Sequence, residues 1–191
     1  FKKVEQVDRY FDKQHFDYHQ DSSLIKKDCW LRLRTEWEIA CGKDDEVATT
    51  LTLKIGRGKN RGSATTYDEI SSNMELCNEL CIPTTTIVSE DSLKSYGFTQ
   101  VVSFKTFRNI YRKNDLIICV DHVIGLMINT EQKCFGYLVV EFGKFVVANE
   151  VESTHQHLLG VIKKTDAIYT EARGSKVMEF IRFYNPHLYE K

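Results

Sequence analysis

Basic side chains stand at alternate positions in several short segments that are typical of β-strands. In Trp30-Leu31-Arg32-Leu33-Arg34 the two arginines share one face of the predicted strand and the two leucines share the other. Leu51-Thr52-Leu53-Lys54 repeats this pattern with a lysine, and the segment 102–108 ends on Arg108. A half-buried strand normally turns its charged face to water, but a closed barrel allows charges to line a wet interior. These segments therefore predict a barrel with a cationic interior.

Carboxylates on three further predicted strands share the same inward parity. They are Glu69, Asp121 and Glu141. Carboxylate oxygens suit Mg²⁺ or Mn²⁺, which bind through one or two carboxylates together with phosphate oxygens and water. We expect these three residues to bind such a metal. Salt bridges to the inward arginines are the alternative, and they are compatible with metal binding.

The predicted cations match the needs of a polyphosphate. Arg32, Arg34 and Arg108 each offer a planar fork that can pair with two phosphate oxygens, and Lys54 supplies a compact charge. Lys176, near the start of the last predicted helix, is placed to close one mouth of the barrel. The alternative is that these are ordinary surface charges on one-sided sheets.

The catalytic group is not assigned, since either a second metal or a lysine with a depressed pKa could activate water.

The composition limits the classes of partner. The chain has 191 residues and a formal net charge of −1, so no general basic field is available to hold a nucleic acid. No apolar run approaches the roughly 20 residues of a membrane-spanning helix, and no signal-peptide pattern opens the chain. The six cysteines do not form a zinc-binding pattern, and we interpret them as free thiols. We expect one domain over residues 1–191, a small-molecule ligand, a monomer and a cytoplasmic location.

Periodicity and turn residues predict a chain rich in strands. Strands are expected over 7–11, 30–37, 48–55, 65–71, 98–112, 116–123 and 135–147, and helices over 73–81, 89–96, 149–162 and 175–184. The polar turn at 113–115 is typical of a hairpin.

Short motifs in a fixed order connect this chain with a known superfamily. They are Tyr10-Phe11-Asp12, the segments ending at Arg34 and Lys54, Tyr67-Asp68-Glu69, the strand through Arg108, Val120-Asp121, residues 136–141, and Ser175-Lys176-Val177 with Phe180-Ile181-Arg182-Phe183. Together they resemble the CYTH, or triphosphate tunnel, superfamily, and the last pair resembles its thiamine triphosphatase branch. The resemblance implies an α+β fold: a closed antiparallel tunnel of about eight strands, with a charged interior and helices packed outside. It also implies cleavage of a linear triphosphate with Mg²⁺ or Mn²⁺.

Two departures from the superfamily pattern bear on activity. Its Glu-x-Glu-x-Lys motif belongs to a first strand that we expect upstream of Phe1. Its late Glu-x-Glu motif is Glu141-Phe142-Gly143 here, so one carboxylate is replaced by glycine. The leading hypothesis is hydrolysis of thiamine triphosphate or inorganic tripolyphosphate. The alternatives are a polyphosphate-binding module without turnover and an adenylate cyclase of the same superfamily. A lipid-carrier barrel is a further alternative, but the charged interior argues against it.

Trp30 shares the parity of Arg32 and Arg34 and leads their strand. At a tunnel mouth this aromatic ring would stack on the cationic thiazolium of thiamine. The alternative is that Trp30 packs beneath a helix.

Overall fold

A computed structural model of the protein describes residues 1–13, 23–40, 43–56, 67–125, 135–144, 148–165 and 176–184. These residues form an α+β fold, as the sequence predicts. The strands are β1 (Lys2–Lys13), β2 (Cys29–Ala40), β3 (Lys43–Gly56), β4 (Tyr67–Ile70), β5 (Phe98–Lys113), β6 (Leu116–Gly125) and β7 (Gly136–Gly143). The helices are α1 (Asn73–Leu80), α2 (Glu90–Ser95), α3 (Val151–Ile162) and α4 (Lys176–Tyr184).

All seven strands belong to one antiparallel sheet in the order β4-β3-β2-β1-β5-β6-β7. The sheet curls into a half-barrel. The prediction of a closed tunnel of about eight strands is not supported, because within the described residues the sheet ends at β4 on one side and at β7 on the other. A strand needs a hydrogen-bonding neighbour on each side for the barrel to close.

The convex face of the sheet carries the leucines that alternate with the inward cations. Leu31 and Leu53 are buried there beneath Leu76 and Leu80 of α1 and Leu93 of α2. Ser72 caps the start of α1, and a reciprocal pair of hydrogen bonds between Ser89 and Ser92 caps the start of α2. This half of the sheet therefore has the inverted pattern that the sequence predicts, with apolar residues outward under covering helices.

The concave face is apolar at one end and charged at the other. Its apolar end is an aromatic cluster in which Tyr10, Trp30 and Phe104 pack with Phe180 and Ile181 of α4. The prediction that all helices pack outside is therefore wrong for α4, because that helix packs on the same strand faces that carry the charges. Burial of its apolar side holds α4 there and brings Lys176, its first residue, beside the charged end.

The structure describes four of the six cysteines. Cys29, Cys77, Cys81 and Cys119 are free thiols, while Cys41 and Cys134 lie outside the described residues. Of the helices that the structure describes, none is both long enough and apolar enough to cross a bilayer.

Candidate functional site

Arg32 is a buried cation on the concave face of β2. It is only 8% exposed, and its Nε is buried without a hydrogen-bond partner. Tyr10 is directly opposite Arg32 in the β1–β2 register. In the described parts of the chain, no carboxylate forms a salt bridge with Arg32. A buried guanidinium without an anion is unfavourable unless a ligand supplies the anion.

Arg34, two residues further along β2, is held by Asp8 of β1. The Nε and Nη2 atoms of Arg34 donate to the two oxygens of Asp8 at 2.6 Å each. Burial alone would raise the pKa of Asp8, but the hydrogen bonds and charge of Arg34 outweigh it and hold the pKa below its ordinary value. Both groups are therefore charged near neutral pH.

Four charged groups form a second cluster where β5, β6, β7 and α4 meet. Arg108 donates from Nε and Nη2 to Asp121 at 2.7 and 2.6 Å, and from Nη2 to Glu141 at 2.8 Å. The Nζ atom of Lys176 contacts Asp121 and lies 2.9 Å from Glu141. Burial would raise the pKa of Asp121, but the bond from Arg108 and the charge of Lys176 lower it overall. Two cations thus neutralise two carboxylates.

Lys54 and Glu69 form a separate ion pair at the other edge of the sheet. They are opposite each other in the β3–β4 register, and the Nζ–Oε1 distance is 2.6 Å. Burial and the charges of Arg32 and Arg34 lower the pKa of Lys54, although Glu69 opposes the change. Burial and, to a lesser extent, the neighbouring arginines therefore disfavour the protonated form of Lys54.

The structure brings together only part of the predicted metal set. Asp121 and Glu141 share two cationic partners on neighbouring strands, whereas Glu69 lies on the opposite edge strand and bonds to Lys54. Within the described ranges, no three acidic, histidine or cysteine side chains form a metal cluster. Asp121 and Glu141 fit a divalent ion of the kind that takes one or two carboxylates and completes its shell with phosphate oxygens and water. A joint role for Glu69 stays a prediction that this arrangement does not favour.

Trp30 does not lie at an open mouth. It is 5% exposed, it packs edge-on against Tyr10, and its indole Nε1 donates to Asp28 at 3.1 Å. The placement agrees with packing beneath a helix, since Phe180 and Ile181 of α4 belong to the same cluster. A ring buried to this extent is poorly placed to stack on a thiazolium, so that role stays a prediction that this packing does not favour.

Several polar residues lie on the concave face beside those predicted from the sequence. Asp8 is one, and Gln6, which donates to Glu36 at 2.6 Å, is another. Gln6 and Thr106 are buried opposite each other in the β1–β5 register, and each has a side-chain oxygen without a partner. Their signal was available in the alternation Val4, Gln6, Asp8, Tyr10, which continues the inward parity of β2 across β1.

A model of the CYTH domain matches residues 1–184 of the sequence. The chain belongs to the CYTH family. CYTH proteins are generally enzymes, either triphosphatases or cyclases, and those enzymes generally depend on divalent metal. No curated protein matches the chain.

Solved structures resemble this chain in fold at low sequence identity. A candidate adenylate cyclase from Vibrio parahaemolyticus has 13% identity and a TM-score of 0.52, with 94% of this chain and 82% of that chain covered. A chain of the Schizosaccharomyces pombe Mediator head module has 11% identity and a TM-score of 0.50, with 90% and 83% covered. A candidate adenylyl cyclase from Hippeastrum with dominant triphosphatase activity has 17% identity and a TM-score of 0.49, with 96% and 82% covered. These similarities concern the fold, and the activity has to be argued from the site.

Proposed function

We propose that this CYTH protein is a metal-dependent hydrolase that cleaves a phosphoanhydride bond of a linear triphosphate. The observation that carries the proposal is Arg32, a buried cation with an unpaired Nε and no carboxylate partner in the described structure. Arg34 and Lys54 lie beside it on the same concave face. An anion with several charged oxygens would supply the missing partner.

The remaining ion pairs explain how such a site stays folded without ligand. Asp8 orients Arg34, Glu69 orients Lys54, and the two carboxylates of β6 and β7 orient Arg108 and Lys176. Each cation is thereby held in place, and arginine forks suit phosphate oxygens. Cleavage of a phosphoanhydride depends mainly on positioning and charge neutralisation, so it does not require a covalent nucleophile.

A divalent metal fits this arrangement through Asp121 and Glu141. When bound with the substrate, Mg²⁺ or Mn²⁺ would neutralise charge on the phosphates. The two carboxylates would hold it, while Arg108 and Lys176, released from them in part, would turn towards phosphate oxygens.

Inorganic tripolyphosphate is the substrate we favour over thiamine triphosphate. The burial of Trp30 in the aromatic cluster supports this choice, because a thiazolium would need an exposed ring face on which to stack. Binding without turnover is the second candidate, because Gly143 leaves Glu141 without the second carboxylate of the usual motif.

We propose further that the protein acts as a monomer in the cytoplasm on a small-molecule ligand.

The deciding experiment measures phosphate release from tripolyphosphate, thiamine triphosphate and ATP, with Mg²⁺, with Mn²⁺ and with EDTA. Cyclic AMP is quantified in the ATP reactions. Arg108→Ala is compared with Lys105→Ala, since Lys105 lies on the opposite face of β5 and pairs with Glu5. We expect metal-dependent release from tripolyphosphate that Arg108→Ala abolishes and Lys105→Ala retains. Binding without release would support the second candidate, and cyclic AMP would support a cyclase.

A further inference from the structure

Two arginine–aspartate pairs with the same hydrogen-bond pattern cross four neighbouring strands of the concave face. In each pair Nε donates to Oδ1 and Nη2 donates to Oδ2, at 2.6 to 2.7 Å. Each pair is directly opposite in its strand register, Asp8 with Arg34 and Arg108 with Asp121. Because the strands run β2-β1-β5-β6, cation and anion alternate across the sheet.

Asp8 differs from Asp121 in its surroundings. Asp121 is also bound by Lys176, whereas the hydrogen bonds of the Asp8 carboxylate within the described structure go to Arg34. The side chain of Asp8 is 1% exposed and that of Arg34 is 14% exposed. A ligand on the concave face can therefore reach the guanidinium but not the carboxylate beneath it.

A buried carboxylate below a phosphate site is costly for binding. Its charge opposes the anion, and a buried ion pair rarely stabilises a fold more than apolar residues would. Its benefit is geometric. Two hydrogen bonds fix the plane of the guanidinium and leave Nη1 outside the pair, so the fork does not have to be ordered when the substrate reacts.

We propose that Asp8 is a positioning residue for triphosphate cleavage, acting through Arg34. It holds the Arg34 fork in the orientation needed in the transition state, and its negative charge weakens the attraction of the empty site for phosphate. The inference rests on the proposed hydrolase function.

The test separates binding from turnover in the variant Asp8→Asn. Asparagine can accept one of the two hydrogen bonds, but its amide group faces the other donor, so the guanidinium turns. We expect kcat for tripolyphosphate to fall by about a hundredfold, the scale of a misplacement near 1 Å. The Kd for metal-free tripolyphosphate, measured by calorimetry, should stay equal or decrease, since a negative charge has left the site. A purely structural role would lower the unfolding midpoint and leave kcat and Kd of the folded protein unchanged, which would overturn the proposal.

Two further variants keep the test decisive. Asp12→Asn is the matched control, because Asp12 is equally buried on β1 but accepts bonds from Ser23 and Leu24, and its folded protein should keep the parental kcat and Kd. Arg34→Lys retains the charge without the planar fork, so it should bind tripolyphosphate and lose kcat to a similar extent. The orienting role is wrong if Arg34→Lys keeps the parental kcat. It is also wrong if Asp8→Asn increases Kd by the same factor by which it lowers kcat. A parent protein that neither binds nor cleaves tripolyphosphate would instead refute the proposed function.

Discussion

Replacing Arg32 with methionine should leave the protein as stable as before, or more stable, while it loses its ligand. The guanidinium of Arg32 is buried with an unpaired Nε, a situation that costs about 1–3 kcal/mol. Methionine of similar length removes that cost. We therefore expect the free energy of unfolding to be unchanged or to rise by about 1 kcal/mol, as measured by urea denaturation.

The same substitution should weaken binding of tripolyphosphate. A charge-assisted hydrogen bond contributes about 1.5–3 kcal/mol, which corresponds to a roughly 10- to 150-fold increase in Kd. Isothermal calorimetry in EDTA measures this loss without contributions from metal or turnover.

Arg34→Met is the matched comparison for Arg32→Met. It removes a neighbouring inward arginine of the same strand, but it leaves the Asp8 carboxylate buried without its partner. Breaking a buried ion pair in this way costs about 3–5 kcal/mol. If Arg32→Met destabilises the protein as much as Arg34→Met does, Arg32 has a carboxylate partner in the folded protein. If Arg32→Met binds tripolyphosphate like the parent, Arg32 is not part of the anion site.

Three further outcomes are expected. Asp121→Asn should abolish metal-dependent phosphate release and leave metal-free tripolyphosphate binding equal or tighter, since Arg108 and Lys176 lose a counter-charge; weaker metal-free binding would indicate a structural salt bridge instead. The pKa values of Asp8 and Asp121 are lower in the folded protein than in the unfolded chain, so their stabilising contribution is fully present above about pH 4 and is lost as the pH falls further. Urea midpoints between pH 2.5 and 7 measure this, and a flat profile would contradict the ion pairs. Trp30→Ala should destabilise the fold by about 3–5 kcal/mol and reduce activity on tripolyphosphate and thiamine triphosphate equally, whereas selective loss on the thiamine ester would return Trp30 to the ligand site.

The alternation of charge and leucine in β2 and β3 was sufficient to predict which side chains face inward. Side chains of a strand alternate with a period of two whatever the strand pairs with, so Arg32 and Arg34 had to share a face. The structure places Arg32 on the concave face, together with Arg34, Lys54 and Arg108 and the carboxylates that pair with these three. Their role as ligands of a triphosphate stays a prediction.

Local patterns do not say which inward residues meet. Asp8 reached Arg34 because β1 pairs with β2 in one particular register, and Glu69 is separated from Asp121 and Glu141 because β4 and β7 are opposite edges of the sheet. The Asp8–Arg34 pair joins residues that are 26 positions apart in the sequence, and neither segment by itself specifies which strand it will pair with.

The sequence by itself determined the strands, their inward parity and the CYTH family, because these depend on short-range periodicity and on motif order. Only the tertiary structure decided that Trp30 is buried and that Lys176 lies beside Asp121. Docking of α4 by its apolar side buries Trp30 in an aromatic cluster and sets Lys176 against Asp121. Helix α4 docks because apolar surface is buried between segments that are distant in the sequence. No single segment therefore determines where the helix packs.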